Sequence, residues 1–411
     1  MLSQKTIKIV KATAPVLAEK GLEITTHFYK RLFENHPELL NIFNHANQTK
    51  GRQQTALANT IYAAATYIDQ LEVLLPAVKQ IAHKHRSLQV KPEHYPIVGQ
   101  HLLLAIKEVL GEAATEDIIE AWGEAYGVIA QVFIDVEKEM YTEAENSNNA
   151  WENFKSFKVV KKEIESSVIT SFYLKPTDGT NVPAFTPGQY ITIRLSIPGE
   201  QYLLNRQYSL SDTPNGEYYR ISVKKEVIDN LPEGKVSNYL HNHLNIGDEL
   251  ELTAPAGDFT LQMKVAEPVY LISGGVGITP MLSMLKTIAI TQPNRSTTFI
   301  HAAKNGMMHA FSKEVTESIE KIKDGKTVLV YETPTNEDRA SKKFQFEGFI
   351  TEEILKGLQV EASSLFYVCG PVPFMQAVVS HLENIGVPKE KIHYEFFGPA
   401  MELKQKETVT L

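Results

Sequence analysis

A glycine-rich turn that directly follows an apolar run is the feature that most constrains the fold of this chain. The run Val269–Ile272 leads into Gly274-Gly275-Val276-Gly277-Ile278-Thr279-Pro280, and a helix-compatible segment follows the turn. This order of strand, turn and helix directs backbone N–H groups and a helix N-terminus toward a dinucleotide phosphate. The turn departs from the GxGxxG pattern, so the separate role of each glycine in that fingerprint does not transfer to it.

A second motif, Arg206-Gln207-Tyr208-Ser209, ends 65 residues before the turn begins. Arginine binds a pyrophosphate through a forked set of donors, and a tyrosine ring can lie beside a flavin ring. Either motif alone is a weak signal. In this order and at this separation the two resemble the ferredoxin–NADP reductase family, which implies a flavin-binding barrel followed by a nicotinamide-binding domain.

Composition and length limit what else the chain can be. At about 150 residues per domain, 411 residues predict two to three domains. The formal charge of −8 argues against a nucleic-acid surface. Cys369 is the only cysteine, which excludes an internal disulfide framework and a CxxC site and fits a reducing compartment. Because no apolar run approaches about 18 residues and lysines interrupt the start of the chain, we expect a cytoplasmic protein without a membrane span or secretory signal.

The first part of the chain, residues 1–148, is predicted to be an all-α domain. Apolar residues such as Val98, Leu102 and Ile106 recur at helical spacing, and no strand-like alternation interrupts them. Pro15 lies inside the predicted first helix, where it indicates a kink or a restart.

The hydrophobic period changes after a polar linker, and a second and a third domain follow. Over residues 149–265, short segments such as Ile191–Leu195 and Tyr219–Val223 alternate with a period of two, which favours a closed antiparallel β-barrel. Over residues 266–411, predicted strands alternate with helices, which favours a parallel α/β sheet with its ligand crevice at the strand carboxyl ends. These strands are Val269–Ile272, Thr297–Ala302, Thr327–Tyr331 and Leu365–Val368.

One histidine of the helical domain, His85, lies on an apolar helical stripe. Leu74, Val78, Ile81, His85 and Leu88 follow one another at steps of three and four. By itself such a histidine is most simply a core residue. With Tyr29, Phe43, Gln53 and Leu57 upstream, however, the domain resembles a bacterial globin, and the reductase motifs behind it make the whole chain similar to the flavohaemoglobins, the nitric oxide dioxygenase family.

The resemblance implies a haem b site with the following roles. His85 is the proximal iron ligand, while Tyr95 and Glu137 form a hydrogen-bonded network with it that raises its basicity. Tyr29 donates a hydrogen bond to bound dioxygen on the distal side. Phe43 packs on the haem, and Gln53 and Leu57 line the distal pocket. Apart from the resemblance, Tyr29 is a core aromatic, Glu137 a rim charge and Gln53 a surface residue.

For the reductase half, the resemblance implies one site for FAD and one for NAD(P)H. The residues expected to bind FAD are Tyr190, Arg206, Gln207, Tyr208 and Ser209, with Gly234, Val236 and Ser237 in a phosphate loop and Phe397 stacked on the ring. The residues expected at the dinucleotide are Gly274 to Pro280, Cys369, Gly370, Pro371, Phe396, Gly398 and Pro399. Lys84 and Glu395 are expected near the gap between haem and flavin, where their charges tune both potentials.

The family resemblance implies an enzyme in which NAD(P)H reduces FAD, FAD passes electrons to haem, and NO and O2 become nitrate. Two other interpretations stay open. One is an oxygen or NO sensor whose reductase keeps the haem reduced. The other is a haem-based hydroperoxide reductase, because an apolar distal pocket can admit a lipid or acyl ligand. We expect a monomer, and the sequence does not decide between NADH and NADPH.

Overall fold

The structure is a computed structural model that describes residues 2–43, 48, 51–146, 151–226 and 234–398. The chain divides into two compact units. The first consists of Met1–Phe154, Thr192–Arg206 and Gly398–Met401, and the second of Lys155–Ile191, Gln207–Phe397 and Glu402–Leu411. Within the described ranges, no helix combines the length and the apolar character that a membrane span requires.

The amino-terminal part of the first unit is helical, as predicted. Ser3 caps the first helix by accepting a hydrogen bond from the Thr6 N–H at 3.0 Å, and Gly111, at φ 56°, ends the fourth. The helices are α1 (Gln4–Asn35), α2 (Arg52–Thr66), α3 (Leu75–Leu88), α4 (His94–Leu110) and α5 (Glu116–Glu145).

The expected restart at Pro15 is wrong, because α1 continues through this residue. Pro15 is exposed, so its ring faces solvent. Val10, Thr13 and Leu17 on the same helix are buried. Their packing offsets the backbone hydrogen bond that a proline cannot donate.

An antiparallel sheet of six strands follows the helices. The strand order is β4-β3-β6-β1-β2-β5. A bridge between Leu210, just after β4, and Ile221 of β5 joins the two edges, which gives the closed barrel that was predicted. One helix, α6 (Lys235–His243), lies between β5 and β6 in sequence. The strands are β1 (Lys155–Ile164), β2 (Ile169–Pro176), β3 (Tyr190–Leu195), β4 (Leu204–Ser209), β5 (Tyr219–Lys224) and β6 (Glu249–Leu252).

The last part of the chain forms a parallel sheet in the order β10-β9-β8-β7-β11-β12. Because all neighbours run in the same direction, the ends of β7, β8, β11 and β12 meet at one edge, where open α/β sheets bind ligands. The strands are β7 (Val269–Gly274), β8 (Thr297–Ala303), β9 (Gly325–Tyr331), β10 (Phe346–Glu347), β11 (Leu365–Cys369) and β12 (Ile392–Glu395). The helices are α7 (Ile278–Thr291), α8 (Ser312–Ile319), α9 (Asn336–Ser341), α10 (Glu352–Gly357) and α11 (Val372–Asn384).

Candidate functional site

His85, on α3, takes part in a hydrogen-bonded network with the other two residues predicted beside it. Its Nδ1 lies 2.7 Å from Glu137 Oε1 and 3.1 Å from the Tyr95 hydroxyl. The Tyr95 hydroxyl donates to the same Glu137 oxygen at 2.6 Å. Because Nδ1 faces a carboxylate, it carries the proton, and Nε2 is the nitrogen with a lone pair for a metal.

Burial distinguishes the members of this network. Glu137 is 2% exposed, whereas the His85 side chain keeps 32% of its surface open. Burial, together with the charge of Glu137, raises the pKa of Tyr95, so this phenol stays protonated and donates. A buried carboxylate that accepts two hydrogen bonds is partnered, which excludes the alternative that Glu137 is a rim charge.

Two residues that the sequence analysis missed hold Tyr95 in place. Tyr126, on α5, donates a hydrogen bond to the Tyr95 carbonyl oxygen at 2.6 Å. A Cβ at Gly99 would overlap the Tyr126 ring, so only glycine leaves room for it on α4. A glycine in the middle of an apolar helix can indicate such a close approach, so Gly99 is the sequence signal that could have predicted this contact.

Tyr29 lies in a separate aromatic cluster of the helical domain and is 6% exposed. Its ring centroid is 4.8 Å from that of Phe28, 5.8 Å from that of Phe33 and 5.9 Å from that of Phe43. Leu57 packs against the same core cluster. The structure therefore brings together the predicted distal residues Tyr29, Phe43 and Leu57.

Gln53, the remaining predicted distal residue, contacts Tyr29. Burial raises the pKa of the Tyr29 phenol, and a side-chain hydrogen bond from Gln53 opposes the rise. A hydrogen bond to the phenol oxygen stabilises the deprotonated form of a phenol, which is why this contact acts against burial. Gln53 Oε1 is buried and has no hydrogen-bond partner among the residues that the structure describes.

These two clusters fit a haem. The proximal one supplies an imidazole whose outer nitrogen is hydrogen-bonded to a carboxylate, the arrangement that metal-ligating histidines use. The distal one supplies a buried phenol and a buried amide oxygen that has no hydrogen-bond partner among the described residues. Gln53 is half-buried, its carbonyl oxygen is buried, and its side chain forms a hydrogen bond with Tyr29, so it is more than a surface helix residue.

The predicted flavin motif lies on β4. Arg206, Gln207 and Tyr208 are half-buried, and Ser209 is buried. The Arg206 guanidinium donates to the Asn205 carbonyl oxygen at 2.7 Å. Tyr190, on β3, is 6% exposed and packs on Gly257, where a Cβ would lie 2.9 Å from the ring. The structure thus leaves the β4 residues half open and covers the ring of Tyr190.

The predicted phosphate loop forms the start of α6. Gly234 is the N-cap, and a Cβ there would lie 2.8 Å from Ser237 Oγ and 3.0 Å from Glu226. Ser237 Oγ donates to the Gly234 carbonyl oxygen at 2.9 Å. A cap without a side chain leaves the first-turn N–H groups, including that of Val236, directed out of the helix end, which fits a flavin phosphate.

The glycine-rich turn and the Cys369-Gly370 segment lie against each other. A Cβ at Gly277 would overlap the Cys369 carbonyl oxygen and would lie 2.8 Å from the Gly370 nitrogen. The ring of Phe374, on α11, lies 3.0 Å from a Cβ built at Gly274 and 2.6 Å from one built at Gly370. Phe374 thus packs against both turns. The residues around it in the sequence do not predict this contact.

Most side chains of the residues predicted to bind the dinucleotide are buried in the protein core. Thr279 Oγ1 donates to the Val276 carbonyl oxygen at 3.0 Å, and Ile278 is fully buried. These residues, Pro280 included, present backbone rather than side chains. Pro371, the N-cap of α11, is exposed. Because Gly275 has φ 55° and open space around its Cβ position, the backbone of the turn is accessible to a phosphate.

Cys369 is fully buried, and its sulfur lies 3.6 Å from the Glu395 carbonyl oxygen. Burial, with the charge of Glu395 in addition, raises the pKa of the thiol well above its usual range. This raised pKa favours the neutral thiol at neutral pH, and a neutral thiol is a poor nucleophile. Glu395 itself is 8% exposed at the end of β12.

The segment after β12 contains residues of different exposure. Phe397 is 46% exposed, which leaves its ring open for stacking, whereas Phe396 is 6% exposed and belongs to the core beside Tyr394. Lys84 Nζ donates to the Gly398 carbonyl oxygen, and both residues belong to the first unit. Lys84 is therefore more than a solvated helix lysine. Pro399 lies outside the described residues.

Three families match successive parts of the chain. The globin family matches residues 26–133, the oxidoreductase FAD-binding domain residues 156–261, and the oxidoreductase NAD-binding domain residues 271–380. These matches confirm the predicted order of the domain types, and with it haem, FAD and a nicotinamide dinucleotide as the cofactors.

Similarity to individual proteins extends over nearly the whole chain. A flavohemoprotein of Bacillus thuringiensis subsp. konkukian (strain 97-27) is 57% identical over 404 residues, which are 98% of this chain and 100% of that protein. A crystal structure of flavohemoglobin from Malassezia yamatoensis with bound FAD and heme has a TM-score of 0.85 at 30% identity, and the match covers 97% of this chain and 100% of that one. The FAD/NAD-binding domain of nitric oxide dioxygenase from Vibrio cholerae O1 biovar El Tor has a TM-score of 0.55 at 40% identity, over 60% of this chain and 99% of that one.

Proposed function

This chain belongs to the flavohaemoprotein family of oxidoreductases, and on that basis we propose that it is an NAD(P)H-dependent nitric oxide dioxygenase. The balanced reaction is 2 NO + 2 O2 + NAD(P)H → 2 NO3⁻ + NAD(P)⁺ + H⁺. The observation that carries the proposal is the buried network in which Glu137 accepts hydrogen bonds from both His85 and Tyr95. A protein that only carries oxygen has no need of so strong an electron donor behind its histidine.

When bound, the haem supplies the iron at which dioxygen and NO meet, and FAD supplies single electrons after it takes a hydride from NAD(P)H. His85 holds the iron through Nε2. Glu137 accepts a hydrogen bond from Nδ1–H, which would give the imidazole partial anionic character and increase its electron donation to a bound iron. Tyr95 donates to the same carboxylate and fixes its orientation.

On the distal side, Tyr29 is the residue that would donate a hydrogen bond to a ligand of the haem. The hydrogen bond with Gln53 would help to hold the phenol in this position. The rings of Phe28, Phe33 and Phe43 surround the phenol. In a pocket with a low dielectric constant, one such donor contributes more than it does in water.

In the reductase half, we propose the roles that the family resemblance implies. Arg206 binds the flavin pyrophosphate, and the start of α6 at Gly234, Val236 and Ser237 binds a flavin phosphate through its N–H groups. Gln207, Tyr208, Ser209, Tyr190 and Phe397 complete the flavin site. The backbone of Gly274–Pro280 with Cys369, Gly370 and Pro371 binds the dinucleotide, and Phe396, Gly398 and Pro399 complete that side.

Two charged residues are assigned to tuning of the redox potentials. Glu395, buried at the end of β12, stabilises an oxidised, more positive flavin. Lys84 immediately precedes His85 and has the opposite effect on a haem. The single cysteine agrees with a cytoplasmic location, and we expect the protein to act as a monomer.

The decisive experiment is a stopped-flow mix of NADH-reduced, oxygenated protein with NO. We expect one nitrate for each NO consumed and two NO for each NADH. Loss of NADH without loss of NO would contradict the proposal. Tight oxygen binding with no turnover would then favour the sensor interpretation, and NADH-driven loss of an added alkyl hydroperoxide would favour the reductase interpretation.

A further inference from the structure

Four charged side chains of the second unit form a closed ring that the proposed chemistry does not use. The Arg220 guanidinium donates to Glu314 Oε1 at 2.8 Å and lies 3.9 Å from Asp212 Oδ2. Lys286 Nζ contacts Glu314 Oε2 at 2.6 Å and also pairs with Asp212 Oδ1. The ring contains two cations and two anions, so it is neutral as a whole.

The ring members come from both ligand-binding parts of the unit. Asp212 follows β4, the strand of the flavin motif, after two residues, and Arg220 is on β5. Lys286 is on α7, the helix that begins directly after the dinucleotide turn, and Glu314 is on α8. The ring thus connects the barrel with the parallel-sheet part.

Two further contacts on the same face of α7 strengthen this connection. Ser283 Oγ donates to the Asp212 carbonyl oxygen at 2.6 Å, and Thr287 Oγ1 lies 3.1 Å from Thr213 Oγ1. Residues 283, 286 and 287 stand one turn apart on one side of the helix. They all contact the dipeptide Asp212-Thr213. These contacts fix both the rotation of the helix about its axis and its position along that axis, relative to the end of the flavin strand.

Burial argues against a purely stabilising purpose for the ring. Arg220 is 2% exposed and Asp212 5%. Removing such charges from water has a cost that their attraction roughly cancels, so apolar residues of the same volume would give an equally stable contact. Unlike apolar residues, the charged side chains fix one geometry of the contact. If α7 shifted against the flavin strand, a buried charge would lose its partner.

We propose that the ring of Asp212, Arg220, Lys286 and Glu314 is a positioning device that holds the dinucleotide-binding turn in register with the flavin strand. It thereby sets the rate at which hydride passes from NAD(P)H to FAD. The inference rests on the hydride-transfer half of the proposed function. Transfer requires reacting atoms about 3–3.5 Å apart, and a misplacement of about 1 Å lowers the rate about 100-fold.

The test uses the complete holoprotein and the double variant Lys286→Met/Glu314→Gln, which removes one cation and one anion and keeps the ring neutral. Anaerobic stopped-flow mixing with NADH and with NADH deuterated at the transferred position gives the limiting rate of flavin reduction and its isotope effect. We expect the limiting rate to fall about tenfold or more with an increased isotope effect. FAD content and the dissociation constant of NAD⁺ should stay within twofold of the wild type.

Arg295→Met is the matched control. Arg295 is also 5% exposed and donates to the carbonyl oxygens of Gln262 at 3.0 Å and Glu267 at 2.8 Å, but it is not part of the ring. We expect this variant to lower the Tm without a change in the limiting rate. Lys286→Arg, which keeps the charge, should restore most of the rate. If the double variant does not fold, Ser283→Ala, which removes the hydrogen bond to the Asp212 carbonyl oxygen, is the second test variant; a partial loss of rate is expected, and a wild-type rate would overturn the proposal.

A double variant with lowered Tm and a wild-type rate of flavin reduction would overturn the proposal and leave the ring a structural feature. An equal loss of rate in Arg295→Met would do the same. Since this assay ends at the flavin and contains no NO, a failure of NO dioxygenation does not affect its outcome. A wild-type protein whose flavin NADH does not reduce would instead contradict the proposed function.

Discussion

Glu137→Gln is the most informative single substitution, because it removes the charge of the proximal network and keeps its shape. In the wild type, Glu137 Oε1 accepts from His85 Nδ1 at 2.7 Å and from the Tyr95 hydroxyl at 2.6 Å. A hydrogen bond to a charged group contributes about 1.5–3 kcal/mol and a neutral one about 0.5–1.5 kcal/mol. With both bonds weakened, the substitution should reduce the stabilisation of the oxidised haem relative to the reduced haem by about 2 kcal/mol.

That loss can be read in two assays. At about 1.4 kcal/mol for each factor of ten, it corresponds to roughly a 30-fold slower consumption of NO. For a one-electron couple, 59 mV correspond to a factor of ten, so the haem reduction potential should rise by about 90 mV. Spectroelectrochemical titration measures the potential, and the iron–histidine vibration of the reduced haem should weaken at the same time.

Glu139→Gln is the matched control, since Glu139 is an exposed residue of the same helix and its substitution makes the same change of charge. We expect its potential and rate to equal those of the wild type. Equal shifts in both variants would mean that only the total charge matters. Unchanged values in Glu137→Gln with normal haem content would refute the reasoning that the network increases electron donation.

Three further predictions concern other parts of the chain. Tyr29→Phe keeps the ring and loses the donor, so oxygen should dissociate faster from the variant. NO consumption should slow by a factor that corresponds to about 2–4 kcal/mol, while the haem content stays unchanged. Oxygen kinetics equal to those of the wild type would mean that Tyr29 is only a core aromatic. Arg206→Ala leaves a pyrophosphate charge unpaired at a cost of about 2 kcal/mol, so gel filtration should remove FAD but not haem, and full retention of FAD would count against the assignment. Burial lowers the pKa of His309 to about 4. Protonation therefore favours the unfolded chain. The stability that the neutral ring contributes is complete above pH 6.5 and is lost as the pH falls toward 4. The loss amounts to roughly 3 kcal/mol, and denaturation in urea at pH 7 and pH 5 should show a smaller difference for His309→Asn, which keeps a partner for Tyr331, than for the wild type.

Much of the fold and part of the site follow from local patterns. The helical period before residue 148, the alternation in β1, β3 and β5, and the apolar runs that became β7, β8, β9 and β11 predict the three kinds of domain, because periodicity reports which face of an element is buried. The glycine-rich turn at Gly274–Gly277 was recognisable as a turn after a strand, and the structure adds that Gly277 lies against the backbone of Cys369. The spacing around His85 placed it on the apolar stripe of α3 with Val78, and the structure leaves its side chain 32% exposed.

Interactions between residues distant in sequence had no such signal. Arg220 and Glu314 are 94 residues apart, and the alternation in β5 predicts an exposed face where the structure buries Arg220 and Ser222. Pro15 predicts a break that the packing of α1 overrides. Phe374 resembles any apolar residue of a helix until the two turns that it supports are folded onto it.

The sequence by itself thus determined which elements form and which backbone positions must lack a side chain, because periodicity and glycine act within a few residues. Only the tertiary structure decided which polar groups become partners. Glu137 is a rim charge in a helix considered alone, and it becomes the acceptor for His85 and Tyr95 once α3, α4 and α5 pack together. The physical reason is that burying a charge is unfavourable until its donors arrive, and those donors lie 52 and 42 residues away.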